Sequence, residues 1–180
     1  MKKFTFLLVF TFFSLSAFSQ VEIKINPLLA LFGVFDVSGE FGVNEKLGVD
    51  VAPNLYFSKV ITYDKGEFKG SGFGAVINPR YYFNPNRGID KFYFGAYLNF
   101  ATYKGENKES NTYIKRTKLA IGPNIGYKVS SDSGFIFDIG FGLGRSFVNS
   151  WDSNIEGFNT DLLSLLSFDA IGKLAIGWRF

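Results

Sequence analysis

The sequence predicts an all-β fold, an eight-stranded antiparallel up-and-down transmembrane β-barrel. Three observations predict it. Apolar residues alternate with small or charged ones in eight segments, compact turns join some of these segments, and longer polar links join the others. Alternation with a period of two indicates a strand with two unlike faces. FIFDIGFGLGRSF, at 135–147, keeps the pattern for thirteen positions.

The N-terminal stretch MKKFTFLLVFTFFSLSAFSQ has the layout of a secretory signal peptide, with two lysines, an apolar run and then small residues. We expect residues 1–19 to be a cleaved signal peptide and residues 20–180 to form one barrel domain. A membrane-anchoring helix is the alternative, although the apolar run is shorter than the roughly 20 residues that a helical span needs.

The segments have lengths that suit tilted strands crossing a bilayer, which need about 9–11 residues each. The predicted strands cover 21–31, 35–43, 47–57, 71–83, 92–103, 112–129, 135–148 and 167–180. Compact turns rich in Asn, Asp, Gly and Ser are expected at 44–47, 84–91 and 130–134. Longer polar links follow at 58–70, 104–111 and 149–166. Short turns at one end and long loops at the other are typical of an outer-membrane barrel.

The apolar face of these strands is predicted to point toward lipid. A soluble barrel of the lipocalin type would turn that face inward, but an eight-stranded interior is only just wide enough for ordinary side chains. The apolar positions hold many bulky residues, among them Phe73, Phe94 and Phe141. On the opposite face, each Lys or Arg would cost about 2–4 kcal/mol near the middle of a bilayer. We therefore expect that face to line the lumen.

Six acidic and six basic side chains have this lumen-facing parity, so their charges sum to zero. They are Glu22, Lys24, Asp36, Glu40, Asp50, Arg80, Lys118, Lys128, Asp138, Asp169, Lys173 and Arg179. The centre of the predicted lumen charge network consists of Glu40, Asp50, Arg80, Lys118, Asp138 and Lys173. Glycines of the same face, such as those of GFGLG at 140–144, are expected to make room for Arg80 and Lys118. The network is expected to fill the lumen without an open pore.

The chain contains no His and no Cys. The usual general base near neutrality, the usual nucleophile activation and most metal sites are therefore missing. We expect no enzymatic activity, no catalytic residue, no metal and no cofactor. Without the leader, 17 Lys and Arg residues remain of 19, against 16 acidic ones, which gives no electrostatic support for a nucleic-acid partner.

Aromatic residues gather near the compact turns and predict an interfacial girdle. They are Tyr81, Phe83, Phe92, Tyr127, Phe135, Trp178 and Phe180. Core aromatics of a soluble sandwich are the alternative interpretation. The last residues, GKLAIGWRF, resemble the C-terminal signal strand of bacterial outer-membrane barrels, in which the assembly machinery reads a final aromatic residue. This resemblance implies that Trp178 and Phe180 act as an assembly signal.

With these residues in view, the chain resembles small OmpA-like eight-stranded outer-membrane barrel proteins of Bacteroidetes type, grouped as outer-membrane β-barrel domains of unknown function. INPLLALFGVFDVSGEFGVNEKLGVDV and INPRYYFNPNRGIDKFYFGAYLNF carry the resemblance. It implies a location in the bacterial outer membrane, contact with outer-membrane lipid and lipopolysaccharide, and assembly by the barrel machinery. We expect no peptidoglycan-binding segment after the last strand, so the tethering role of larger OmpA proteins is not implied.

Four prolines are unexpected inside the strands of a closed barrel, because proline donates no hydrogen bond to a ladder. Pro27, Pro53, Pro79 and Pro123 all lie inside predicted strands, and each has an Asn of inward parity beside it. We expect bulges or bends at these prolines, with the Asn amides bonding the backbone groups left unpaired. An Asn-lined ligand site in the lumen is the alternative.

The expected function is structural or interactive and is exerted through extracellular loops, with an unidentified partner at 58–70 and 149–166. Two other classes stay open at this point. One is a narrow channel or small-ligand binder. The other is a lipid-modifying enzyme that uses a lumen carboxylate such as Asp138.

Overall fold

A computed structural model describes residues 20–63, 66–107, 110–155 and 167–180. The predicted signal peptide and residues 156–166 of the last polar link lie outside the described residues. The elements are β1 (Gln20–Ile25), α1 (Pro27–Ala30), β2 (Val34–Gly42), β3 (Leu47–Tyr63), β4 (Gly66–Tyr82), β5 (Lys91–Asn107), β6 (Thr112–Ser130), β7 (Phe135–Ser153) and β8 (Phe168–Arg179). Within the described ranges, no helix is both long enough and apolar enough to cross a membrane.

The strands form one closed barrel in sequence order. Every strand pairs antiparallel with its neighbours in the chain, and β1 pairs with β8 to close the ring, with Glu22 opposite Arg179 and Ile25 opposite Ile176. The prediction of an all-β, eight-stranded, antiparallel up-and-down barrel is confirmed.

Three hairpins extend further than predicted, into segments expected to be polar links. The ladder of β3 and β4 continues to the pair Tyr63↔Gly66, and that of β5 and β6 continues to Asn107↔Thr112. β7 continues to Ser153, opposite Ile114. Polar segments can lengthen a hairpin in this way because the ladder bonds join backbone groups and do not depend on side-chain polarity.

The first strand is shorter than predicted. β1 ends at Ile25, and the predicted strand residues beyond it form the single-turn helix α1, which starts at Pro27. Proline fits the first position of a helix, because its fixed φ suits the helix and the N–H it lacks would have no helical partner there. Because β1 ends early, it leaves part of the β8 edge to be covered by the segment around α1.

The in-strand prolines interrupt the ladder on one side only. Each pairs regularly with one neighbouring strand, whereas two consecutive pairs are missing on its other side and the register then continues unchanged. The sites are Pro53 against β2, Pro79 against β5 and Pro123 against β7. The predicted bulges are not found at these prolines. The register shifts lie instead between Tyr56 and Lys59 in β3 and between Leu119 and Ala120 in β6.

Polarity is reversed relative to a water-soluble domain. The apolar strand positions form the outer surface, where Phe94, Ile125 and Phe141 are 50%, 50% and 53% exposed. The charged positions fill the interior, where Glu40 is 0% exposed and Arg80 is 1% exposed. The core of this fold is therefore its polar lumen.

Candidate functional site

The lumen charge network is built from strands on all sides of the barrel. Alternation places Glu40 of β2 facing inward, where its carboxylate accepts hydrogen bonds from Arg80 Nη1 (3.1 Å), from Lys128 Nζ (3.0 Å) and from Lys24 and the Tyr82 hydroxyl. One carboxylate of β2 thus contacts β1, β4 and β6. Such pairing offsets the high cost of burying a charge.

Arg80 is the second hub. Its Nη1 donates to Asp138 Oδ2 (2.9 Å) as well as to Glu40, and its Nη2 donates to Asp50 Oδ2 (3.2 Å). The guanidinium carbon lies 4.4 Å from the centroid of the Tyr93 ring. The planar fork of arginine allows one cation to bind several carboxylates in this way.

Two further lysines contact the central carboxylates. Lys173 of β8 contacts Asp50, donates to Ser38 Oγ (3.1 Å) and lies 3.9 Å from Asp138. Lys24 of β1 contacts Glu40 and lies 3.1 Å from Asp138 Oδ2 and 3.0 Å from Asp50 Oδ1. Five of the six residues predicted as the network centre are therefore brought together. Lys24, which the prediction left outside that centre, belongs to it.

Lys118 lies apart from the other five predicted residues. Its ammonium group contacts Asp169, which also accepts a hydrogen bond from Asn99 Nδ2 (3.1 Å). Lys118 therefore forms a second cluster nearer the long-loop end of the lumen. Parity alone placed it on the inner face but did not give its height along the barrel.

A third group lies at the short-turn end. Glu22 accepts hydrogen bonds from Lys128 Nζ (2.8 Å) and from Arg179 Nε (2.9 Å). Arg179 also donates to Ser130 Oγ (2.8 Å). These contacts join β1, β6 and β8 where the ring closes.

The lumen glycines make room for tyrosines, which corrects the prediction that they accommodate Arg80 and Lys118. A Cβ atom on Gly140 would lie 2.3 Å from the hydroxyl of Tyr93, and one on Gly144 would lie 2.6 Å from the hydroxyl of Tyr97. Tyr93 in turn donates to Asp138 Oδ1 (3.1 Å). The signal was present in FYFGAYLNF, where both tyrosines share the parity of Gly95.

Three Asn side chains bond backbone groups near prolines, as the proline hypothesis expected, and one of them, Asn54, donates to Pro53 O (3.2 Å) in the amide orientation that satisfies its side chain. Asn26 Nδ2 donates to Gly172 O (3.2 Å), and Asn26 Oδ1 accepts from Leu174 N–H (3.3 Å). In the amide orientation that satisfies both ends of its side chain, Asn78 donates to Ala96 O (3.2 Å), the carbonyl opposite Pro79. Asn26 therefore covers the β8 edge that β1 does not reach.

A cavity of about 320 Å³ lies beside the network, inside the barrel. Asp50, Arg80 and Lys173 line one part of it. Polar side chains and a group of apolar side chains line the rest, among them Asn26, Asp36, Asn54, Asn78, Asn99, Lys118, Asn124, Leu29, Phe32, Val34 and Ile171. The lumen thus combines a dense ionic network with a space large enough for a small molecule.

The two predicted assembly residues lie outside the lumen. Trp178 and Phe180 are 46% and 75% exposed on the outer surface, near the short turns. Gly134 of the turn between β6 and β7 lies against the Trp178 ring and accepts the Arg179 backbone N–H (2.9 Å). The rest of the predicted girdle is also exposed on the outside.

Comparison with known proteins gives a match to a protein family. A family model covers residues 3–160, from the predicted leader through β7 and beyond. No curated protein and no solved structure matches the chain significantly. The chain belongs to the family described as "Protein of unknown function (DUF3575)".

Proposed function

We propose that this protein is a small OmpA-like barrel of the bacterial outer membrane. It has a sealed, charge-networked lumen and a structural or interactive role exerted through its extracellular loops. The reversed polarity of the barrel carries this proposal. In water, an apolar band around the whole circumference would greatly exceed the few hundred Å² that soluble monomers expose. A bilayer is the solvent that such a surface fits.

The closed ring supports the same proposal. In hydrocarbon, backbone N–H and C=O groups have no water to bond, so a spanning sheet must have no open edge. Here β1 and β8 close the ring, and Asn26 bonds β8 backbone groups beyond the end of β1. The exposed aromatics near the short turns suit the membrane–water interface. In this orientation the long hairpins face the outside of the cell.

The ionic contacts favour a sealed barrel over an open channel. Arg80 and Lys24 lie in the lumen, and each contacts carboxylates of three other strands. We propose no catalytic role, and we place partner binding at the long-loop end, including 58–70 and 149–166. Lipid and lipopolysaccharide would surround the outer face, and the barrel machinery would read Trp178 and Phe180.

Cell fractionation tests the membrane proposal. The full chain, expressed with its leader in a Gram-negative host, is expected in the outer-membrane fraction. Its mass should be that of a mature chain that starts at Gln20. On gels, unheated samples are expected to migrate differently from heated ones, because a closed barrel resists detergent unfolding. Recovery in the soluble periplasm without a heat-dependent shift would contradict the proposal.

A further inference from the structure

Asp36 differs from the other lumen carboxylates. Within the described residues, Glu22, Glu40, Asp50, Asp138 and Asp169 each have a Lys or Arg nitrogen within salt-bridge distance, whereas Asp36 has none. Asp36 is only 6% exposed, and its Oδ1 atom accepts no hydrogen bond in the described structure. Its Oδ2 atom is bonded by Asn54, in the amide orientation that satisfies that side chain. A buried carboxylate with an unused oxygen is costly unless a further donor binds it.

A second unused acceptor lines the same cavity. Asn99 is 5% exposed, and its Nδ2 atom donates to Asp169, whereas its Oδ1 atom has no partner among the described residues. Asp36 and Asn99 both line the 320 Å³ space. The free hydrogen-bonding capacity identified in this cavity thus consists of oxygen acceptors.

The cationic side chains that line the cavity already pair with carboxylates. This pairing favours a cationic ligand over an anionic one. Lys118 contacts Asp169, Lys173 contacts Asp50, and Arg80 is shared among three carboxylates. An anion would have to displace these contacts. A cation with N–H donors would instead bond to Asp36 and Asn99 without disturbing them.

The apolar lining of the cavity narrows the class of ligand further. Leu29, Val34 and Ile171 line the same cavity, and its volume is at the lower end of the range of about 300–1,000 Å³ for small-molecule pockets. In the described part of the chain, no three acidic side chains are grouped as a metal site would require. An organic cation with a short apolar tail fits both parts of this lining.

We propose that the lumen cavity is a binding site for a small organic ammonium ion, with the ammonium group on Asp36 and Asn99 and the apolar part against Leu29, Val34 and Ile171. The inference goes beyond the proposed membrane role and depends only on the lumen geometry. A negative binding result would leave the outcome of cell fractionation unchanged.

Calorimetric titration of the intact barrel in a non-ionic detergent tests the site, with phosphate buffer to avoid competing amines. The probe is n-butylammonium chloride. Saturable binding is expected, and Asp36→Asn should weaken it about tenfold or more, because a hydrogen bond to a charged group is lost. Asp132→Asn is the matched control, since Asp132 pairs with Arg87 at an exposed turn. It should leave the affinity unchanged.

A comparison of ligands on the wild-type barrel keeps the test independent of variant folding. Tetramethylammonium has the charge without N–H donors, and 1-butanol has the apolar tail without the charge. Both are expected to bind more weakly than n-butylammonium. Equal binding of all three, no saturable binding of n-butylammonium, or an unchanged affinity in Asp36→Asn would overturn the proposal.

Discussion

Lys24 Nζ lies 3.1 Å from Asp138 Oδ2, across the lumen and 114 positions away in the chain. The contact joins the first strand to the seventh, which are not neighbours in the sheet. Lys24 also lies within salt-bridge distance of Glu22, Glu40 and Asp50, so one buried ammonium group serves four carboxylates. The barrel is therefore braced across its interior as well as around its wall.

Removal of this cation is expected to destabilise the barrel strongly. Lys24→Met keeps the length and the apolar stem of the side chain but leaves Glu40 and Asp138 with less compensation. Loss of one partner of a buried ion pair typically costs about 3–5 kcal/mol. The free energy of unfolding in urea, measured in lipid vesicles, gives the result. Lys46→Met, in an exposed turn, should change it by less than about 0.5 kcal/mol, and equal effects of the two variants would contradict a central role for Lys24.

A charge on the outer face distinguishes lipid from water as the surrounding solvent. Ile125 is 50% exposed and pairs with Phe94 and Phe141 in the adjacent strands. If this face meets lipid, Ile125→Lys should lower the free energy of unfolding in bilayers by about 2–4 kcal/mol. Val43→Lys is the control beside a short turn, where a cost of about 0–1 kcal/mol is expected. A negligible cost at Ile125 would argue for a water-exposed face.

The Asn26 side chain is expected to protect the edge of β8. Asn26→Ala removes the acceptor of the Leu174 N–H and the donor to Gly172 O. The predicted result is faster hydrogen exchange at the Leu174 amide and a loss of about 1–3 kcal/mol in stability, because two partly buried backbone groups lose partners. Asn86→Ala, in an exposed turn, should affect neither quantity. Unchanged Leu174 exchange in Asn26→Ala would show that another group covers the edge.

Electrical recording distinguishes a sealed barrel from a channel. The wild-type protein, reconstituted in planar bilayers, is expected to give no stepwise conductance, because Arg80 and its carboxylates occupy the lumen. Regular steps that persist at high protein purity would favour the channel alternative. The Arg80→Ala variant should be recorded beside the wild-type protein, because removal of the hub side chain should make ion passage easier.

Much of the fold could be predicted because alternation in a strand reports directly on side-chain direction. In β7, the parity of FIFDIGFGLGRSF correctly separates exposed Phe141 from buried Asp138. The compact turns were also predictable, since Asn, Gly and Ser favour the left-handed and bent conformations that turns need. Asn84 and Gly134 have positive φ angles at two of these turns.

Other features depend on geometry that a single strand does not encode. The height of Lys118 along the lumen follows from the register between strands, so the sequence did not show that it would pair with Asp169. The tyrosines that fill the glycine spaces were missed for the same reason, because the space at Gly140 is filled by Tyr93, from a strand that is not its neighbour. The end of β1 at Ile25 depended on local competition, in which Pro27 favours a helical turn over a strand.

Closure of the ring has a consequence for how the chain reaches its folded state. The hydrogen bonds from Arg179 to Glu22 span 157 positions, whereas the hairpins of the other strands join residues close in sequence. Because the entropic cost of loop closure rises with loop length, a contact of this separation has a high entropic cost early in folding. Until β8 arrives, β1 and β7 each present an unpaired strand edge that invites aggregation. The pairing of β1 with β8 therefore removes both open edges in one step and completes the barrel.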